Sequence, residues 1–296
     1  MWIPITLAAA TFQILRTSRQ HQLGSVLSTN GAGFVRYLYG APLALILTAI
    51  SFGVLGRAVP EIPPRFWIVI TVAGMAQILG TLALLRSFAL RDFALGTVYA
   101  KTEVIQVAII GAVVLAEPLQ PVGWGGALIC TVGVAWLAGR GSLSTLIQRA
   151  GDPAALMGIA AGGLFGAAAV GIRAASGSLG QAPAWDRAVL TLTVMLVIQT
   201  LVNGAYLASR DRGQITQVVR HWRLAVPVGI LSLAGSTGWA LAVTLENAAK
   251  VRTLGQVELV IAFAISHRRL GERHTAKEFM ATALVLIGIL AVAVWG

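Results

Sequence analysis

Apolar residues run through this chain in long blocks, separated by short polar breaks that hold most of its arginines, glycines and prolines. A helix needs roughly 17–25 mostly apolar residues to cross a bilayer, and blocks near that length fill almost the whole sequence. The pattern predicts ten spans, near 2–16, 30–55, 66–86, 93–116, 121–139, 154–173, 187–208, 223–245, 251–267 and 276–295. The N-terminal run MWIPITLAAATFQIL has no basic leader and no convincing cleavage site, so it reads as a first span. Between spans five and six lies the break GRGSLSTLIQRAGDP. It divides the chain into a first half over 1–139, a linker over 140–153 and a second half over 154–296.

The two halves repeat. Glu103 and Glu117 lie in KTEVIQVAIIGAVVLAE, and Glu258 and Glu272 in GQVELVIAFAISHRRLGE. Both pairs give the same offset, since 258 − 103 and 272 − 117 are each 155. Trp67/Trp222, Gly74/Gly229, Gly80/Gly235 and Gly133/Gly288 obey it too. Spans 3–5 therefore match spans 8–10. Spans one and two match six and seven less clearly, with Arg36 and Arg187 as candidate equivalents. Five spans per half force the second copy to enter the membrane in the opposite sense. The expected fold is an all-α integral membrane protein, ten transmembrane helices in two inverted five-helix repeats.

Composition supports a membrane setting. Hydrophobic residues make up 57% of the 296 positions and charged residues 11%, where soluble domains carry about 25% charge. The net charge of +11 does not point to nucleic acid, because the basic residues are scattered through short loops. Loops after odd-numbered spans hold fourteen Arg or Lys and those on the other side six, which places the odd loops in the cytoplasm and both termini outside. The expected location is a bacterial inner membrane. Most tryptophans fall near span ends, as interface anchors do. The single cysteine, Cys130, sits in an apolar run as a small packing residue. Gly158, Gly162 and Gly166 form a ridge that lets another helix of the same chain approach closely; the expected state is a monomer or weak dimer.

Carboxylates inside apolar spans are costly and mark function by default. Glu117 and Glu272 stand at span ends, where interfacial water removes most of that cost. Glu103 and Glu258 lie deeper and are the candidates for a proton- or cation-binding role. On a continuous helix Tyr99, Glu103 and Gln106 share a face, while Lys101 points elsewhere and need not pair with Glu103. Span nine carries Leu254, Glu258 and Ile261 at the equivalent places and Gln256 where Lys101 stands. Gly96 and Gly255 interrupt the two spans, and matched interruptions are a pointer to a transporter's binding site. In span three Gln77 and Thr81 share a face; their equivalents in span eight are Ser232 and Ser236, with Trp239 one turn on. Trp239 either stacks on a planar solute or packs with its N–H satisfied.

Enzyme signatures are missing. There is no Walker GxxxxGK[ST], HExxH or GxSxG sequence and no metal-ligand cluster, so neither cofactor nor metal is expected. A membrane-embedded enzyme acting on a lipid-linked substrate is the alternative of a different class.

The ten-span plan, the duplication and the acidic ends of spans four and nine, LAEPLQP and LGERHTA, resemble the drug/metabolite transporter superfamily, and within it the EamA-type group. In that family a proline often stands where Glu103 and Glu258 stand here. The resemblance covers essentially the whole chain. It implies secondary transport by alternating access, with spans 1–4 and 6–9 lining a central cavity, spans 5 and 10 outside it, and export of small metabolites. Tyr39, Tyr99 and Trp239 favour the aromatic amino acid exporter branch. The expected partners are a small solute, an amino acid or related metabolite, and the lipid bilayer. Its expected site comprises Tyr39, Gln77, Thr81, Tyr99, Lys101, Glu103, Ser232, Ser236, Trp239 and Glu258. Lys101 and Tyr99 in one half stand opposite Gln256 and Leu254 in the other, an asymmetry suited to a solute without two-fold symmetry.

Overall fold

The computed structural model describes residues 1–23, 26–90, 98–138, 148, 150–261, 263 and 275–296. Gly96, Glu272 and most of the 140–153 linker, all named above, lie outside the described residues. Every regular element among the described residues is helical. In chain order these are α1 (Trp2–Leu23), α2 (Thr29–Ala49), α3 (Pro64–Leu90), α4 (Glu103–Leu115), α5 (Pro121–Ala138), α6 (Pro153–Ser178), α7 (Ala184–Arg210), α8 (Arg212–Arg220), α9 (Trp222–Leu245), α10 (Ala248–Gly255) and α11 (Ala276–Trp295). A π-helical turn, Ile50–Val54, prolongs α2. Residues 98–100 form a short helical piece before α4, and residues 257–261 one after α10.

Seven helical stretches among the described residues are long and apolar enough to cross a membrane: Asn30–Val54, Pro64–Phe88, Val98–Leu115, Pro153–Ser178, Ala184–Arg210, Trp222–Leu245 and Ala276–Trp295. Such a set makes this a multi-pass membrane protein, because a bilayer accepts backbone only when its hydrogen bonds are satisfied within the segment. Helix α8 was not foreseen. Its sequence RGQITQVVR is too polar to span, yet Ile215, Val218 and Val219 recur at helical spacing and Val218 is fully buried. The oxygen Oε1 of Gln214 accepts from the Ser28 backbone N–H at 2.9 Å and so ties α8 to the start of α2.

The chain forms two compact units, each drawing on both halves of the sequence. One comprises Met1–Met75 and Gly171–Leu245, the other Ala76–Val170 and Glu246–Gly296. In the first unit α1 packs on α9, and α2 on α7 and α9. Buried Asp186, in the first turn of α7, takes a 3.0 Å ion pair from Arg57. In the second unit α5 packs along α11, and α10 touches α4 and α11.

Glycine contacts repeat at the sequence offset. A Cβ on Gly133 of α5 would meet the Val285 nitrogen of α11 at 2.8 Å, and one on Gly288 of α11 would meet the Cys130 nitrogen of α5 at 2.5 Å. These two contacts exchange under an offset of 155, since 288 − 133 and 285 − 130 both equal it. Gly74 of α3 stands against Met195 of α7, and Gly229 of α9 against Tyr39 of α2. The partners here differ by 156 (195 − 39), so Arg36 corresponds to Leu192 (36 + 156). The pairing of Arg36 with Arg187 read from the sequence is therefore corrected. Gly80 faces Phe165 of α6 and Gly235 faces Phe12 of α1, with partners that differ by 153 (165 − 12). The ridge of α6 also packs within the chain: a Cβ on Gly162 would meet the Ala100 carbonyl oxygen at 2.7 Å, and one on Gly166 the Val107 nitrogen at 3.2 Å.

Candidate functional site

Both deep glutamates follow a break in their span. In span four the helical piece 98–100 gives way to a turn at Lys101 and Thr102 before α4 begins at Glu103. In span nine α10 ends at Gly255, Gln256 is the turn residue, and helix resumes at Val257 and Glu258. The breaks coincide under the repeat, because 101 + 155 is 256. Gly255 does close α10, as its type favours; on the described residues the break in span four falls at Lys101–Thr102.

The breaks explain how an apolar span tolerates charge. A helix carries partial positive charge at its N-terminus and partial negative charge at its C-terminus, each worth about 0.3–1 kcal/mol to an opposite side-chain charge. Glu103 is the first residue of α4 and Glu258 the second of the resumed helix in span nine. Arg252 lies in the last turn of α10. Lys101 directly follows the 98–100 piece. Carboxylates sit at the starts of helical segments and cations at the ends.

The four charges pair crosswise between the two spans. Lys101 Nζ of span four donates to Glu258 Oε1 of span nine. Arg252 of span nine donates to Glu103 Oε1 of span four from Nε at 2.6 Å and from Nη2 at 2.5 Å. Glu103 is buried, with 6% of its side chain exposed, while Lys101 and Glu258 keep 17% and 16%. Lys101 thus pairs with the carboxylate of the other half and leaves Glu103 to Arg252. All four residues lie in one compact unit.

Neighbouring groups fix the break. The amide Nε2 of Gln106 donates to Thr102 Oγ1 at 2.8 Å and to the Ile159 carbonyl of α6 at 3.2 Å. Asn247 caps α10 through its side-chain oxygen, which accepts from the Ala249 N–H, and its amide donates to the Glu117 carbonyl at 3.0 Å. Glu117 lies two residues past the end of α4, beyond Ala116 in the left-handed conformation at φ 54°. It marks a helix end, as its position in the sequence implies.

The other expected site residues are distributed differently. Tyr99 is buried with Val98 and Ala155, against Ala135 and Ile159. The break at Lys101 interrupts the continuous helix that would have set Tyr99 and Glu103 on one face. Thr81 donates to the Gln77 carbonyl of its own helix at 2.9 Å. In the other unit Trp239 Nε1 donates to Gln13 Oε1 of α1 at 3.1 Å, so its N–H is satisfied. Tyr39 Oη donates to the Val218 carbonyl of α8 at 3.2 Å. Ser232 is buried and its hydroxyl has no partner among the described residues, whereas Ser236 is half-buried.

Sequence reasoning missed Arg252, the second residue of span nine, which it counted among the six basic residues of the non-cytoplasmic side. Charge accounting carries the missing signal: two glutamates deep in apolar spans and one lysine leave a carboxylate without a counter-charge, and a second cation is required. Asn247 before Ala248 is a helix-start signal that moves Arg252 into the helix. Among the described residues no three His, Cys, Asp or Glu side chains cluster to hold a metal.

No family model matches the sequence, and no curated protein matches it either. The fold does recur among solved proteins. One crystal structure, described only as that of a protein, superposes with a TM-score of 0.73 over 98% of this chain and 96% of its own, at 14% sequence identity. That likeness is one of fold.

Proposed function

We propose that the chain is a secondary transporter of the drug/metabolite transporter superfamily, EamA-type, with ten spans in two inverted halves. It exports small metabolites, amino acids foremost, across a bacterial inner membrane by alternating access. The observation that carries this reading is the pair of broken spans, interrupted at equivalent positions and bearing a crossed set of charges. Breaks of this kind put free backbone groups and helix ends at a solute and its coupling ion. The glycine contacts that exchange under the 155-residue offset support the duplicated architecture, which suits rocking between two states.

Accessibility from the two sides of the membrane tests the alternation. Thr102→Cys, introduced with Cys130→Ala into the protein in sealed vesicles, is treated with an impermeant thiol reagent. Labelling is expected from either side, and added solute should shift it towards one side and away from the other. Labelling confined to one side in every condition contradicts the proposal. Labelling that solute raises or lowers equally from both sides identifies a pore.

A further inference from the structure

Charge is unbalanced where α7 gives way to α9 in the first unit. This unit contains three acidic residues, Glu61, Asp186 and Asp211. Arg57 holds Asp186, and Glu61 follows the far end of α2. Only Asp211 stands among Arg210, Arg212, Arg220 and Arg223. All four arginines are exposed, and none has an ion pair among the described residues. At 100° per residue, α8 gathers Arg212, Thr216, Val219 and Arg220 on one face, all exposed, with Gln214, Ile215 and Val218 on the other. That second face is fixed to α2, through Gln214 on the Ser28 N–H and the Val218 carbonyl on Tyr39 Oη. The depth of α8 follows from its neighbours. The span of α7 ends at Arg210, that of α9 begins at Trp222 and that of α2 at Asn30, so α8 lies where three spans meet the membrane surface. Trp222 is exposed there with the Arg223 guanidinium 5.5 Å from its ring centroid, and Val219 is exposed beside it. Tryptophan prefers the headgroup level, and apolar side chains interleaved with cations suit that region better than bulk water.

We propose that the exposed face of α8, with Arg210 and Arg223 at its flanks, is a docking surface for the headgroups of anionic phospholipids such as phosphatidylglycerol. Charge complementarity selects the occupant. Four arginines against one aspartate leave three positive charges uncompensated, and a guanidinium matches a phosphate with two parallel hydrogen bonds. A phospholipid also suits the apolar side chains: Val219 and Trp222 reach the acyl boundary while Arg212 and Arg220 donate to the phosphates above it. A soluble anion would leave those two side chains in water. Each arginine near an anionic surface is worth roughly fivefold in affinity. The hydrogen bonds from Ser28 and Tyr39 hold α8 in place beforehand, so binding does not have to order it. The inference requires only the membrane setting and is independent of the transport reading.

A fluorophore on the exposed face provides the test. Thr216→Cys is introduced with Cys130→Ala, labelled, and the full chain is reconstituted into phosphatidylcholine nanodiscs. These carry increasing fractions of phosphatidylglycerol or phosphatidylcholine with a nitroxide near the headgroup end of the acyl chain, so quenching reports lipid held at α8. Phosphatidylglycerol should reach half-maximal quenching at a fraction about tenfold below that of phosphatidylcholine. Salt at about 1 M, where the screening length is near 3 Å, should remove most of that preference. Arg212→Gln/Arg220→Gln should bring the two lipids within about twofold. Arg65→Gln/Lys277→Gln removes two exposed charges elsewhere and should keep the full preference. The salt series leaves every arginine in place, so the preference is tested even where a variant does not fold. Equal quenching by the two lipids, or an unchanged preference in Arg212→Gln/Arg220→Gln, overturns the inference. Quenching by neither lipid puts this face in water, where a soluble anionic partner would meet it, and overturns the inference as well.

Discussion

Replacing Arg252 with glutamine lowers the stability of the detergent-solubilised protein by about 3–5 kcal/mol, the cost of stripping the partner from a buried charge. The burden falls on Glu103, whose side chain is 6% exposed and which receives both short bonds from Arg252. Glu103→Gln should also destabilise the protein, because it weakens the two short bonds that Arg252 makes to the Glu103 carboxylate. The double variant Glu103→Gln/Arg252→Gln leaves neither charge behind and should melt above either single variant. This non-additivity is the signature of a pair and not of two independent contacts. Melting temperatures of the four proteins provide the check. A double variant that melts at the sum of the two losses would show that the charges are stabilised separately.

The second large effect belongs to the contact between α5 and α11. Without a hydrophobic driving force between helices in lipid, close backbone approach through small residues holds them together. A methyl group on Gly288 would sit 2.5 Å from the Cys130 nitrogen, 2.6 Å from the Gly126 carbonyl oxygen and 2.7 Å from the Cys130 Cα. All three are backbone atoms and cannot rotate away, so the helices must separate. Gly288→Ala is expected to cost about 2–3 kcal/mol, within the range for overpacking. Gly133→Ala, whose nearest atoms are at 2.8 and 3.0 Å, should cost less. Gly125→Ala in the same helix meets nothing within 4 Å and should be neutral or slightly stabilising. Melting of the three variants checks the order; equal losses at Gly288 and Gly125 would refute the contact.

Much of the arrangement was legible in the residues because the two halves retain the same costly features. Glu103 and Glu258 stand out in apolar spans, and the glycines at 133 and 288 keep the offset because each must admit the other half's backbone. The sequence reading failed where a local rule assumed continuity. Tyr99 and Glu103 share a face only on an unbroken helix, and the turn at Lys101–Thr102 removes that premise. Arg252, at the edge of span nine, was counted with the loop charges because basic residues gather at span ends; the Asn247 cap starts the helix earlier and carries it into α10. Arg36 and Arg187 were matched by residue type, whereas the contacts of Gly74 and Gly229 set the register of α2 and α7. Helix α8 escaped because it is too polar to span and its amphipathic pattern is only nine residues long.

Solute counterflow tests the transport claim most directly. Purified protein is reconstituted into liposomes loaded with unlabelled tryptophan or leucine, and uptake of the same labelled amino acid from outside is followed with time. A carrier predicts transient accumulation above the equilibrium level, driven by the internal solute and lost when Glu258 is replaced with glutamine. Uptake that never exceeds equilibrium, whatever the internal load, would contradict transport by alternating access.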